Sequence, residues 1–182
     1  FDNKYLLSLS GRVDGSSRFG KDNQYGFFPA ASAGWVLSEE NFLSSSKTIS
    51  FLKLRASYGI SGSDDGFGDF GSLGLWGAAK YNNVSGLVPT QLPNPGLKWE
   101  RSEQTDIGLD FGLFNNRLSG EIDYYVRNTR DLIYSVPVPG TSGYTTQLTN
   151  VGSMQNKGFE FVLNSVNISS RDFKWNSSLN LS

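Results

Sequence analysis

Residues 105–127 read Thr-Asp-Ile-Gly-Leu-Asp-Phe-Gly-Leu-Phe-Asn-Asn-Arg-Leu-Ser-Gly-Glu-Ile-Asp-Tyr-Tyr-Val-Arg. Ile107, Leu109, Phe111 and Leu113 alternate with Asp106, Gly108, Asp110 and Gly112. Beyond Arg117, Leu118, Ile122, Tyr124 and Val126 alternate with Ser119, Glu121, Asp123 and Tyr125. A side-chain period of two is that of a strand with one apolar face. Asn115-Asn116 reads as a two-residue type I′ turn, because both central positions of that turn need positive φ and Asn tolerates it. If Phe114 pairs with Arg117, counting outward sets Leu113 opposite Leu118, Phe111 opposite Gly120, Leu109 opposite Ile122 and Ile107 opposite Tyr124, all on one apolar face. Phe111 then covers the bare backbone of Gly120. The other face carries Asp106, Asp110, Ser119, Glu121, Asp123 and Arg127, with Asp110 against Glu121. Like charges directly opposite are unfavourable, so cations are expected beside them.

Residues 51–60 offer those cations. Leu52, Leu54, Ala56, Tyr58 and Ile60 alternate with Lys53, Arg55 and Ser57. If this strand neighbours the first arm of the hairpin, Lys53 and Arg55 approach Asp106 and Asp110. Residues 4–13 and 27–37 alternate in the same way, separated by a polar, glycine-rich loop over 14–25. Ser38 is expected to cap a single helical turn through Glu39, Glu40 and Phe42. Residues 61–101 and 128–157 read as long connections, the first with a short strand near 73–79. A last pair of strands is expected over 158–166 and 172–182. Phe1 and Ser182 both fall in or beside strand patterns, so both ends read as cuts through a longer protein.

Composition excludes much chemistry. The 182 residues contain no Cys and no His, which removes disulfides, thiolate nucleophiles, Ser-His relays and most transition-metal sites. Net charge is −1, with the basic residues scattered singly, so nucleic acid is not an expected partner. No run approaches the ~20 apolar residues of a membrane helix. A transmembrane barrel escapes that test, because its strands alternate and only half their residues face lipid.

The expected fold is therefore all-β: an antiparallel up-and-down meander of about seven principal strands, each near the ~9–11 residues that cross a bilayer when tilted. The connections at one end (14–25, 61–101, 128–157) are long, and those at the other (38–50, 114–117, 167–171) are mostly short. That parity belongs to outer-membrane barrels. Aromatics fall at two depths of the apolar faces, Tyr5, Trp35, Phe111, Phe173 and Trp175 toward the short turns and Phe27, Tyr58, Tyr124 and Phe159 toward the long loops, as interfacial girdles do. No charge falls mid-strand on an apolar face, where Arg or Lys would cost roughly 2–4 kcal/mol.

Several ordered motifs resemble the barrel of the SusC/RagA family of TonB-linked outer-membrane receptors. They are Asp14-Gly-Ser-Ser-Arg-Phe-Gly20, Gly26-Phe-Phe-Pro-Ala30 with Gly34-Trp35 and Ser38-Glu39-Glu40, Leu52-Lys-Leu-Arg-Ala-Ser-Tyr-Gly59, Asn94-Pro-Gly-Leu-Lys-Trp-Glu100, the stretch 108–125, and Asn150-Val-Gly-Ser-Met154 with Asn156-Lys-Gly-Phe-Glu160. The resemblance covers nearly the whole chain. It departs from the pattern at Ser63, where Asn is expected after Tyr58-Gly59-x-x-Gly62. It implies a 22-stranded barrel in the cell outer membrane, of which residues 1–182 are a part carrying no plug domain, TonB box or signal peptide. It further implies import of oligosaccharides or peptides energised through TonB, a SusD-like surface lipoprotein as lid, and contact with outer-membrane lipid.

Three side chains of the 61–101 connection, Trp76, Tyr81 and Trp99, are candidates for stacking on a glycan ligand or touching the lid, with packing of the loop on itself as the other reading. Lys53, Arg55, Asp106, Asp110, Glu121 and Asp123 read as a charge ladder lining a polar lumen. Paired carboxylates for glycoside hydrolysis are the rival reading, disfavoured by the cations interleaved among them. The acidic loop Ser63-Asp-Asp-Gly-Phe-Gly-Asp69 lacks the ligand spacing of a calcium loop. No catalytic residue, cofactor or metal is expected. The alternative fold is a soluble β-sandwich that binds carbohydrate, in which the apolar faces form an inner core.

Overall fold

The computed structural model describes residues 1–182 apart from the side chain of Tyr81. The strands are β1 (Tyr5–Gly15), β2 (Tyr25–Val36), β3 (Ile49–Ser63), β4 (Leu75–Tyr81), β5 (Val84–Gln91), β6 (Glu100–Leu113), β7 (Leu118–Arg130), β8 (Ile133–Pro137), β9 (Thr146–Asn150), β10 (Ser153–Ser169) and β11 (Lys174–Leu181). Seven of them form one antiparallel sheet in the order β1-β2-β3-β6-β7-β10-β11. The other four are two small hairpins, β4-β5 and β8-β9, set in the long connections. The meander, its strand order and the parity of its connections are those expected.

The β6-β7 hairpin has the register counted from its turn, with Leu113 opposite Leu118, Phe111 opposite Gly120, Leu109 opposite Ile122 and Asp110 opposite Glu121. Asn115 and Asn116 take φ of 57° and 59°, and the Arg117 N–H donates to the Phe114 carbonyl at 3.2 Å. Phe114 also has positive φ, 53°. The neighbouring connection holds it there: its N–H donates to the Thr48 carbonyl at 2.8 Å, and the Asn115 N–H to Ser50 Oγ at 2.7 Å. A second Asn-Asn pair makes the β4-β5 turn, Asn82 and Asn83 having φ of 45° and 65°.

Three expectations are corrected. The strands run further toward the long loops than the apolar alternation does, because ladder hydrogen bonds continue through polar residues; Ser102 and Thr129, for example, face each other and share a 2.8 Å hydroxyl contact. The residues after Val36 make a 3₁₀ turn over Leu37–Glu39 with no side-chain cap, so Ser38 does not cap a turn through Phe42. The sandwich is overturned as well. Among the described residues no second sheet covers the apolar face, and Leu7, Leu9 and Phe159 are 75%, 73% and 69% exposed.

The buried core draws only Phe28 and Ile60 from the wall of strands. Phe19, Phe28, Leu97 and Trp99 form it, with Ile60, Phe67, Ile133 and Leu148 against them. Most of these come from the long connections, so the core sits at the long-loop end of the sheet. The apolar face keeps its aromatics at two levels, where Tyr5 stacks on Trp35 at 6.3 Å near the short turns and Tyr124 meets Phe159 at 4.8 Å near the long loops.

Candidate functional site

The polar face is built across β3, β6 and β7. Pairing places Lys53 opposite Asp110, Arg55 opposite Gly108, Ser57 opposite Asp106, and Gly108 opposite Asp123. Gly108 is the position that makes the network possible. A Cβ there would lie 2.7 Å from the Arg55 guanidinium carbon and would collide with Asp123 Oδ1, so only glycine lets Arg55 lie across β6 to β7. Arg55 Nε binds Asp110 at 2.9 Å, and its Nη2 binds Asp123 at 2.7 Å and Glu121 at 3.5 Å. Lys53 Nζ adds a contact to Asp110 at 3.4 Å. The expected repulsion between Asp110 and Glu121 is thus bridged by a third charge.

Asp106 departs from the expected ladder. It accepts from Ser57 Oγ at 3.1 Å and from Gln104 Nε2 at 2.9 Å, and neither Lys53 nor Arg55 pairs with it. Antiparallel register is the reason: Lys53 and Ser57 are four residues apart, as are Asp110 and Asp106, so pairing the first couple pairs the second. Arg127 Nε donates to Gln104 Oε1 at 2.8 Å, extending this second network. A hollow of about 440 Å³ opens beside it, lined in part by Arg55, Gln104, Asp106, Asp123, Arg127 and Glu160. Its walls present donors and acceptors together, which suits a polar, hydrogen-bonding guest. The oxygens of Asp110 and Asp123 nearest Arg55 are already engaged, and a hydrolytic water would need them free.

At the long-loop end the structure divides the three aromatic candidates. Trp99 is 8% exposed. Its ring lies 4.9 Å from Phe19 and 5.5 Å from Phe28, and its Nε1 donates to the Gln24 carbonyl at 3.3 Å. Trp99 therefore belongs to the core and offers no face to a ligand. Trp76, on β4, is 65% exposed and remains available. The side chain of Tyr81 lies outside the described residues.

Sequence reasoning missed what builds this loop cap. The Asn150 side chain ties two connections together, accepting from the Lys98 N–H at 2.9 Å and donating to the Lys98 and Asp131 carbonyls at 2.8 Å each. Asn94 Nδ2 reaches the Leu148 carbonyl at 2.8 Å. Gly20 packs so closely under Pro95 that a Cβ would strike its carbonyl oxygen. Arg18 takes up Asp69 at 3.0 Å and Asp64 at 3.9 Å, so the acidic loop is tied by a side chain. At the opposite end, Glu40 accepts from the Tyr5 hydroxyl at 2.8 Å and Trp35 Nε1 at 3.0 Å, with Lys4 at 3.4 Å. The Trp35 N–H, then the Tyr5 hydroxyl, hold the Glu40 carboxyl below its ordinary pKa.

Comparison with known proteins agrees with this architecture. A family model described as TonB dependent receptor-like, beta-barrel matches residues 1–182. TonB-dependent receptor P3 of Formosa agariphila is 42% identical over 187 residues, covering all of this chain and 18% of that protein. TonB-dependent receptor SusC of Bacteroides thetaiotaomicron is also 42% identical, covering 98% of this chain and 19% of that protein. The RagAB peptide importer in its closed-closed state superposes with a TM-score of 0.91 at 36% identity, covering 99% of this chain and 20% of that one. The chain thus spans about a fifth of the length of the relatives it matches.

Proposed function

Since the chain belongs to the TonB-dependent receptor-like β-barrel family over residues 1–182, we propose that it is part of the wall and outer loops of an outer-membrane nutrient importer of the SusC/RagA type. The observation that carries this reading is the contrast between the two faces of one sheet. One face is apolar and exposed with aromatics at two depths, as lipid requires. The other holds the network of Lys53, Arg55, Asp110, Glu121 and Asp123, with Asp106 beside it, as a water-filled lumen allows.

In the whole receptor these strands would belong to a 22-stranded barrel closed by a plug, with energy delivered through TonB to segments outside this chain. The guest is a glycan or a peptide, and a SusD-like lipoprotein covers the long-loop side, where Trp76 is available to either. The chain works by passage and binding rather than by catalysis, and its membrane partner is the lipid of the outer membrane.

The test uses the full-length gene in its own host. Deleting it, or inactivating TonB, is expected to abolish growth on one class of oligosaccharide or peptide while growth on glucose continues, and the protein is expected in the outer-membrane fraction. Recovery of the full-length protein in the soluble fraction, or uptake indifferent to TonB, would sink this reading.

A further inference from the structure

On the outward face, the apolar surface of β6 and β7 ends at Thr105 and Val126, which stand opposite each other. β6 has 14 residues and β7 has 13, whereas a tilted strand crosses hydrocarbon in ~9–11. Counted up from Leu113 and Leu118, the surplus begins just past that pair. Alternation then brings Glu103 opposite Asn128 and Arg101 opposite Arg130 on the same outward face. On β10, Lys157 stands opposite Val126, two residues from Phe159, whose ring meets Tyr124 at 4.8 Å.

Two arginines directly opposite each other are a pairing that sheets avoid. One carboxylate answers them, Glu103, 3.7 Å from Arg130 Nη2. Arg101 Nη2 reaches the Phe27 carbonyl at 3.5 Å, and among the described residues neither Arg101 nor Lys157 has a carboxylate within 4.0 Å. All three cations are exposed. Lys157 stands two residues above Phe159, and the Arg101 and Arg130 pair stands four residues above Thr105 and Val126, with Glu103 and Asn128 between, so the three cations span the polar edge directly beyond the surface that lipid covers. Arg binds phosphate through a planar fork and Lys as a point charge.

We propose that Arg101, Arg130 and Lys157 form a site for the phosphate of an anionic lipid headgroup in the outer leaflet, with the aromatic rim beneath it against the acyl chains. This rests on the barrel reading. A free phosphate would gain nothing from the adjoining apolar rim, so the site belongs to a lipid.

The full-length receptor in non-ionic detergent is titrated with phosphatidic acid, with phosphatidylcholine and inorganic phosphate as controls, and bound lipid is counted by native mass spectrometry. Replacing Arg101, Arg130 and Lys157 together by Gln is expected to weaken phosphatidic acid binding roughly tenfold to hundredfold. Glu103→Gln, which removes the counter-charge and costs little stability, is expected to tighten it about threefold to fivefold. This variant decides the matter if the triple one does not reach the membrane. Unchanged affinity in Glu103→Gln, equal binding of phosphatidylcholine, or displacement by equimolar inorganic phosphate would overturn the site while leaving the barrel intact. A receptor absent from the outer-membrane fraction would instead remove the reading on which the site rests.

Discussion

Replacing Arg55 by Gln removes the guanidinium that bridges Asp110, Glu121 and Asp123 at 2.9, 3.5 and 2.7 Å. Three carboxylates then have only Lys53 nearby, which reaches Asp110 at 3.4 Å. Asp123 loses most. Its side chain is 15% exposed, and its Oδ1 is already buried without a hydrogen-bond partner. Breaking a fully buried pair costs about 3–5 kcal/mol, and an exposed pair about 0–1 kcal/mol. The Arg55 side chain is 33% exposed, so the network falls between these limits and about 2 kcal/mol is expected. The measurement is guanidinium unfolding of the full-length receptor in lipid vesicles. Adding Asp123→Asn to Arg55→Gln is expected to recover about half of the loss, because it removes the charge left most deeply unpaired. High salt should narrow the gap between Arg55→Gln and wild type, since the remaining repulsion is partly screened. An Arg55→Gln variant within about 0.5 kcal/mol of wild type, or a double variant no better than the single one, would refute the idea that this cation holds the polar face together.

Two further outcomes test the ends of the sheet. Trp99→Ala deletes the ring between Phe19 and Phe28 and should loosen the loop cap by about 3 kcal/mol or more. Faster trypsin cleavage after Arg18, Lys21 and Lys98 in the full-length receptor is the readout, and unchanged cleavage would mean that this core does not hold the cap. At the short-turn end, the lowered pKa of Glu40 fixes the sign of a pH effect: its contribution is complete above the ordinary value of 4.5 and is lost as pH falls through the lowered one. Thermal unfolding of the wild-type receptor should therefore lose stability below about pH 4.5 relative to Glu40→Gln, and parallel pH curves would refute the clasp with Tyr5 and Trp35.

The wall was legible in the sequence because a half-wet strand must alternate, and because Asn115-Asn116 pinned the register of the β6-β7 hairpin, whose pairs could all be counted from it. The ion bridge of Arg55 to Asp110 followed from the charges once β3 was set beside the first arm of the hairpin. Its reach to Asp123 did not, because that depends on Gly108 leaving space across a strand. That Asp106 faces Ser57 and not a cation could not be counted, because no tight turn connects β3 and β6 to fix their register. Trp99 takes the second of its two readings, packing among the loops, and the sequence could not choose between them because a Trp in a long, glycine-rich connection carries no periodicity. One local signal was there: Leu97-Lys98-Trp99 alternates directly after the Asn-Pro-Gly turn. The β4-β5 hairpin was half seen as a single strand, although Asn82-Asn83 repeats the dipeptide that gave away the central turn.

The position of the core bears on how the long-loop side would meet a guest or a lid. A barrel wall has lipid on one side and a polar interior on the other, so its strands bury little against one another. Here most of the burial is made by the loops. Motif words that are far apart in the chain converge in one place: Phe19 and Gly20 from the first loop, Asn94 to Trp99 from the second, and Asn150 from the third. The β4-β5 hairpin rises from this base with Gln91 Nε2 donating to the Phe70 and Leu73 carbonyls at 2.8 and 2.7 Å. Trp76 therefore stands exposed on a hairpin whose foot is tied down, opposite Pro89. Much of the affinity lost in binding goes to ordering flexible loops and side chains, and a two-χ aromatic on a fixed hairpin loses little. That is the physical reason for placing the contact with a glycan, a peptide or a lid at Trp76, and for expecting a bound partner to meet a preformed surface.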